Sequence, residues 1–132
     1  MQKNKKCEWV TAKIYPRIAE TGSIVSNLSA GGYTSELTAF LKREFGSGYF
    51  DIKKYIERFS LQFAAHMDKI QKELYNEELD ELGIDIGLDQ NQKICVYETN
   101  WRPGYPPSMN ADLSIVKNII HYAMFLAGRN NT

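Results

Sequence analysis

The stretch Leu82 to Gly104, reading LGIDIGLDQNQKICVYETNWRPG, constrains this chain more than any other segment. Two runs of alternating residues, Leu82 to Leu88 and Lys93 to Asn100, flank the polar residues Asp89, Gln90, Asn91 and Gln92, the pattern of an antiparallel hairpin with a four-residue loop. Strand side chains alternate between faces, so Leu82, Ile84, Ile86 and Leu88 share one side while Gly83, Asp85 and Gly87 share the other. A loop closed in this way pairs Leu88 with Lys93 and sets Asp85 opposite Val96 and Gly83 opposite Glu98. Asp85, Glu98 and Asn100 then lie on one face, which Gly83 and Gly87 are expected to leave open.

Diagonal neighbours on paired strands are about 7–8 Å apart at the backbone, within reach of a common ion held by Asp85 and Glu98. Two carboxylates and an amide are all oxygen donors, a set that suits a hard cation such as Mg2+, with water or phosphate oxygens in the remaining positions. The competing reading is a solvated outer face, since half-exposed antiparallel strands commonly carry charges outward. On the pattern alone the two stand about level.

Composition bounds the rest. The chain has 132 residues, of which 43% are hydrophobic and 24% charged, enough for one domain, 1–132, with a real core. Sixteen basic residues balance sixteen acidic ones, so neither a nucleic-acid footprint nor a polybasic membrane patch is expected, and Lys3, Lys5 and Lys6 read as solvated. Cys7 and Cys95 show no metal or disulfide spacing, and no apolar run is long enough to span a membrane. A soluble protein of a reducing cytoplasm is expected.

Upstream, Trp9 to Arg17 alternates as a half-buried strand, with Pro16 at an edge or end because it cannot donate to a ladder. Ser23 to Leu28 reads as a further short strand, and Gly31-Gly32 as a turn or a close backbone approach. Thr34 or Ser35 is the expected cap of a helix containing Leu37, Phe40, Leu41 and Phe45, with Gly46 just past its end. A longer helix from near Asp51 to about Tyr75 buries Ile52, Tyr55, Ile56, Phe59, Phe63, Met67, Ile70 and Leu74. His66, beside that stripe, reads as a packing or surface residue. The acidic group Glu77, Glu78, Asp80 and Glu81 reads as a solvated helix end and linker. Beyond the prolines at 103, 106 and 107, Asn110 caps a last helix ending near Gly128, in which Ile115, Val116, Ile119, Ile120, Ala123, Leu126 and Ala127 form one apolar face.

The series G-I-D-I-G-L-D, I-C-V-Y-E-T-N and P-G resembles the end of an ATP-grasp domain, where an acidic residue and a Glu-x-Asn pair hold the magnesium ions of ATP. Arg17-Ile18-Ala19 and the stretch from Gly22 through Ser26, Asn27 and Leu28 to Gly31-Gly32 resemble the matching segment of the YheC/YheD branch, and are similar to the Ser-Asn-Leu-x-x-Gly-Gly stretch of RimK-type glutamate ligases. The resemblance covers nearly the whole chain. It implies an α+β fold, the C-terminal lobe of an ATP-grasp domain with an antiparallel sheet packed against helices, the N-terminal lobe and a preceding domain being absent. It further implies one or two Mg2+ ions at Asp85, Glu98 and Asn100, ATP phosphates held by Arg17, and Ser26 and Asn27 lying against the nucleotide. Arg17 is also the implied catalytic cation.

The implied chemistry is ligation of a carboxylate to an amine through an acyl phosphate, with little turnover from an incomplete clamp, the chain being either a fragment or one completed by a separate chain that carries the other lobe. Two alternatives stand beside it: a non-enzymatic protein associated with the spore coat, and a truncated gene product. Trp101 and Arg102 depart from what often follows the Glu-x-Asn pair in relatives. Trp101 reads either as a substrate platform or as a lid on the core.

Overall fold

The computed structural model describes residues 1–19, 21, 33–89, 91–104 and 113–129. Within them the order is β1 (Gln2–Lys3), β2 (Trp9–Val10), β3 (Arg17–Ile18), β4 (Tyr33–Thr34), α1 (Leu37–Phe45), a 3-10 turn (Gly46–Gly48), α2 (Tyr49–Tyr75), β5 (Gly83–Leu88), β6 (Ile94–Asn100) and α3 (Leu113–Arg129). The strands form three antiparallel pairs, β1 with β2, β3 with β4 and β5 with β6. The class is α+β, as expected. The chain divides into two units, Met1–Ala12 with Arg58–Thr132, and Lys13–Glu57.

In the first unit, β1 is the central piece. On one side it pairs with β2, Gln2 against Val10 and Lys3 against Trp9. On the other it meets the segment leading into β5: the Leu82 N–H donates to the Met1 carbonyl at 3.0 Å, the Lys3 N–H donates to the Asp80 carbonyl at 2.9 Å, and Gln2 bridges Glu81. Helix α3 packs against β1. Beneath lies a cluster of Ala64, Leu79 and Leu82, with Met1, Trp9, Phe63, Met67 and Ile84 against it.

Lys3 is not solvated as its neighbours Lys5 and Lys6 are; it is 3% exposed. Its ammonium sits 2.7 Å from an Asp68 carboxylate oxygen and 3.8 Å from Glu78, with the rings of Trp9 and Tyr122 at 5.6 and 5.9 Å from their centres. Burying an ammonium group costs several kcal/mol unless a counter-charge and further polar contacts surround it, and Asp68 and Glu78 supply them. Asp68 also accepts from the Leu79 N–H at 2.7 Å and the Trp9 indole N–H at 3.3 Å. The acidic group after α2 is therefore not merely solvated: Glu78 pairs with Lys72 at 2.5 Å and Glu81 accepts from the Gln2 amide at 2.9 Å. Burial, reinforced by Cys7, Glu78 and Asp68, raises the Tyr122 hydroxyl pKa well above its ordinary value.

The run Trp9 to Arg17, whose residues are divided between the two units, is not one strand. Only its ends are regular, and the later end, β3, pairs with β4 by Arg17 opposite Thr34 and Ile18 opposite Tyr33. Pro16 has no N–H to extend that ladder backward. Helix α1 is capped by neither Thr34 nor Ser35: Glu36 takes the position and accepts from the Ala39 N–H at 2.7 Å. The N–H groups of Thr38 and Ala39 hold its carboxyl below the usual carboxylate range. Gly46 ends α1 as expected, at a left-handed φ of 54° that a β-carbon disfavours.

Two expected burial patterns fail. On α2, Ile52 and Ile56 are buried, but Leu74 is 69% exposed because it lies in the final turn, beyond the buried part of the stripe. On α3 only Ile115 and Tyr122 are buried, while Leu113, Val116, Ile119, Ile120, Met124 and Leu126 are exposed. Strand β1 is too short to cover an apolar surface running most of the way round a 17-residue helix. The helix also continues through Gly128 to Arg129. The expected strand over Ser23 to Leu28, the Gly31-Gly32 turn and the Asn110 cap lie outside the described residues.

Candidate functional site

The hairpin forms where expected but in a different register. Asp89 closes the loop, not Leu88: its N–H donates to the Lys93 carbonyl at 3.0 Å, and its carboxylate accepts from the N–H groups of Asn91 and Lys93, each at 2.8 Å. Gln92 adopts a left-handed φ of 61° to complete the turn. Leu88 thus pairs with Ile94, Gly87 with Cys95 and Ile86 with Val96. The aspartate side chain, by satisfying two loop donors, shifts the ladder one residue from the expected pairing.

A second shift follows. Between Ile86 and Asp85 the ladder carries a bulge, after which Asp85 pairs with Glu98, Ile84 with Thr99 and Gly83 with Asn100. Asp85 does not face Val96, and the two carboxylates are direct partners, not diagonal ones. Directly opposed residues have Cβ atoms about 4.5–5.5 Å apart, where like charges repel unless a cation lies between them. Asn100 is on the same face, one alternate position along.

That face is not left open by its glycines. A β-carbon on Gly87 would lie 2.5 Å from the Tyr97 hydroxyl oxygen, and one on Gly83 would lie 2.9 Å from the Pro103 Cβ. The Tyr97 ring covers one end of the face and Pro103 the other. Asp85 is half-buried, whereas Glu98 and Asn100 are exposed. The Asn100 side-chain oxygen accepts from the Arg102 N–H at 3.1 Å, which fixes the amide on this side of the strand.

The donor set fits a magnesium–phosphate ligand. It is all oxygen, carries two negative charges on facing residues, and contains no thiol or imidazole. Among the described residues no group of three or more His, Cys, Asp or Glu side chains gathers into a complete cage. Asp85 and Glu98 would supply two carboxylates toward such an ion, and Asn100 an amide oxygen.

Arg17, the expected phosphate cation, is exposed at the start of β3 in the second unit. Ser26 and Asn27 lie outside the described residues. Trp101 is no lid on the core: it is exposed, with the Arg102 guanidinium 5.3 Å from its ring centre. His66 is exposed, in keeping with a surface role. The Lys3–Asp68 pair was the main polar feature missed. Its signal was present, since Asp68 follows Ser60 and Ala64 at helical spacing along the buried face of α2.

The fold is an α+β arrangement with an acidic hairpin face. A family profile described as YheC/D like ATP-grasp matches residues 1–126, and the chain belongs to that family. It is similar to the Endospore coat-associated protein YheD of Bacillus subtilis (strain 168), with 27% identity over 132 residues, an overlap covering 95% of this chain and 27% of that relative. The chain thus spans about a quarter of the relative's length. No solved structure matches it at a significant level. Among the described residues no helix is long and apolar enough to cross a membrane.

Proposed function

We propose that this chain is the magnesium-binding half of an ATP-grasp ligase-like site. The observation that carries the reading is the register of the hairpin, which makes Asp85 and Glu98 direct partners and adds Asn100 to their face. In this reading these residues hold one or two Mg2+ ions, which supply positive charge to the ATP phosphates. The family resemblance assigns phosphate oxygens to Arg17, Ser26 and Asn27; a guanidinium holds such oxygens through a planar pair of donors. The reaction in this reading is transfer of the γ-phosphoryl group to a carboxylate with ADP leaving, giving an acyl phosphate from which an attacking amine displaces inorganic phosphate to form the amide.

Phosphoryl transfer depends on charge neutralisation along the whole phosphate chain, so this half of the clamp binds MgATP weakly and turns over little without a segment or separate chain bearing the other lobe. Titration calorimetry with MgATP, repeated in EDTA, tests the reading. Magnesium-dependent binding is expected. Loss of one charged ligand, about 1.5–3 kcal/mol, predicts roughly tenfold or weaker binding for Asp85→Asn and for Glu98→Gln. Parental affinity in both variants would sink the assignment.

A non-enzymatic role in coat association is the second reading, favoured by the relative's name and by the exposed apolar residues of α3. It predicts a folded chain that shows no binding in the same titration.

A further inference from the structure

The bulge in the hairpin decides which face the acidic residues occupy. If the pairing set by the loop continued unbroken, Asp85 would face Tyr97, and Glu98 would face Ile84. Glu98 and Asn100 would then share the side of Leu82 and Ile84, which is turned toward the buried cluster. The extra residue in β6 is Tyr97, and inserting it rotates everything beyond it to the opposite face.

Something must hold an extra residue at that point, because a bulge leaves one residue outside the ladder. The Tyr97 ring has a seat. Its Oη, Cε2 and Cζ atoms lie 2.5, 2.7 and 2.9 Å from where a β-carbon on Gly87 would be, so the ring occupies space that only glycine leaves. Tyr97 is nevertheless 77% exposed, and its contact with Gly87 is on the acidic side of the hairpin. A large, mostly solvated ring resting on one glycine does little for a core. It is well placed to pin the bulge.

We propose that Tyr97 is a positioning residue: seated on Gly87, it holds the bulge that turns Glu98 and Asn100 onto the face of Asp85. The functional consequence rests on the magnesium reading above. The register consequence does not.

Four variants of the full chain separate the possibilities, with interstrand NOEs reporting register and Mn2+-induced broadening of the Asp85 and Glu98 amides reporting metal binding. Tyr97→Phe keeps the ring and should match the parent in both. Tyr97→Ala and Gly87→Val remove the ring or its seat; Ile84 should then show contacts to Glu98, and half-maximal broadening should need roughly tenfold or more Mn2+. Deletion of Tyr97 removes the extra residue itself, so Glu98 meets Asp85 in an unbroken ladder, and Mn2+ affinity should recover. A role confined to packing would make the deletion at least as harmful as the alanine.

Asp85–Glu98 contacts that persist in both Tyr97→Ala and Gly87→Val would overturn the proposal, as would a deletion that binds no better than Tyr97→Ala. If the register moves as expected but the parent shows no Mn2+ broadening, the magnesium reading fails while the role of Tyr97 in register is upheld. Amide spectra of the remaining residues, unchanged from the parent, identify the variants that are folded.

Discussion

Asp68 accepts three contacts at once, from the Lys3 ammonium, the Leu79 N–H and the Trp9 indole, and so ties α2 to both the N-terminal ladder and the segment entering β5. The two members of the ion pair are not equivalent. Removing Asp68 leaves a buried ammonium and an unsatisfied backbone donor, a change that typically costs about 3–5 kcal/mol. Lys3→Met keeps most of the side-chain volume and leaves Asp68, which is partly exposed, with its other two donors. Its expected cost is roughly 1–3 kcal/mol. Urea unfolding should therefore rank Asp68→Ala well below Lys3→Met; equal midpoints would mean that the charge pair, and not the hydrogen bonds around it, dominates.

At the scale of elements, the two hairpins of the first unit repeat one loop design. Asn4 in the β1–β2 loop accepts from the N–H groups of Lys6 and Glu8 through its side chain, as Asp89 does from Asn91 and Lys93. Cys7, at φ 63°, occupies the left-handed position that Gln92 fills in the other loop. Neither position is glycine, so each pays the steric cost of a β-carbon there. Gln92→Gly relieves it and should stabilise the chain by about 0.5–1 kcal/mol, read as a higher urea midpoint with the register unchanged. The helices and the existence of the hairpin were legible because apolar periodicity extends over many residues. Its register was not, since a slip of one position preserves the alternation and was set by the Asp89 side chain. The bulge was hidden for the same reason: Tyr97 is one residue within an otherwise regular run.

Over the whole molecule, the balance of charge concealed where individual charges go. Lys3 reads as part of a basic cluster until the fold brings Asp68, Glu78 and Tyr122 around it from far along the chain. Likewise the apolar residues of α3 could not be sorted from pattern alone, because both sides of the helix are apolar and only one meets β1. Unfolding measurements can separate them. Ile115→Ala empties a buried position and should cost about 2–5 kcal/mol, whereas Ile120→Ser, at a position 52% exposed, should change stability by no more than about 0.5 kcal/mol. The family and the acidic hairpin were readable from short motifs. The direct opposition of Asp85 and Glu98 was not.

The strand at the start of the chain also imposes an order on folding. Met1 and Leu82 are 81 positions apart, and β1 gains its second neighbour only when Asp80 to Leu82 arrive. On a ribosome adding about 5–20 residues per second, Lys3 emerges several seconds before that segment exists. The elements from Arg17 to α1 have near neighbours in sequence and can form in the interval. The residues of β1 are thus made well before their second neighbour and are among the last in this unit to be enclosed, and through that interval the Lys3 ammonium remains in water.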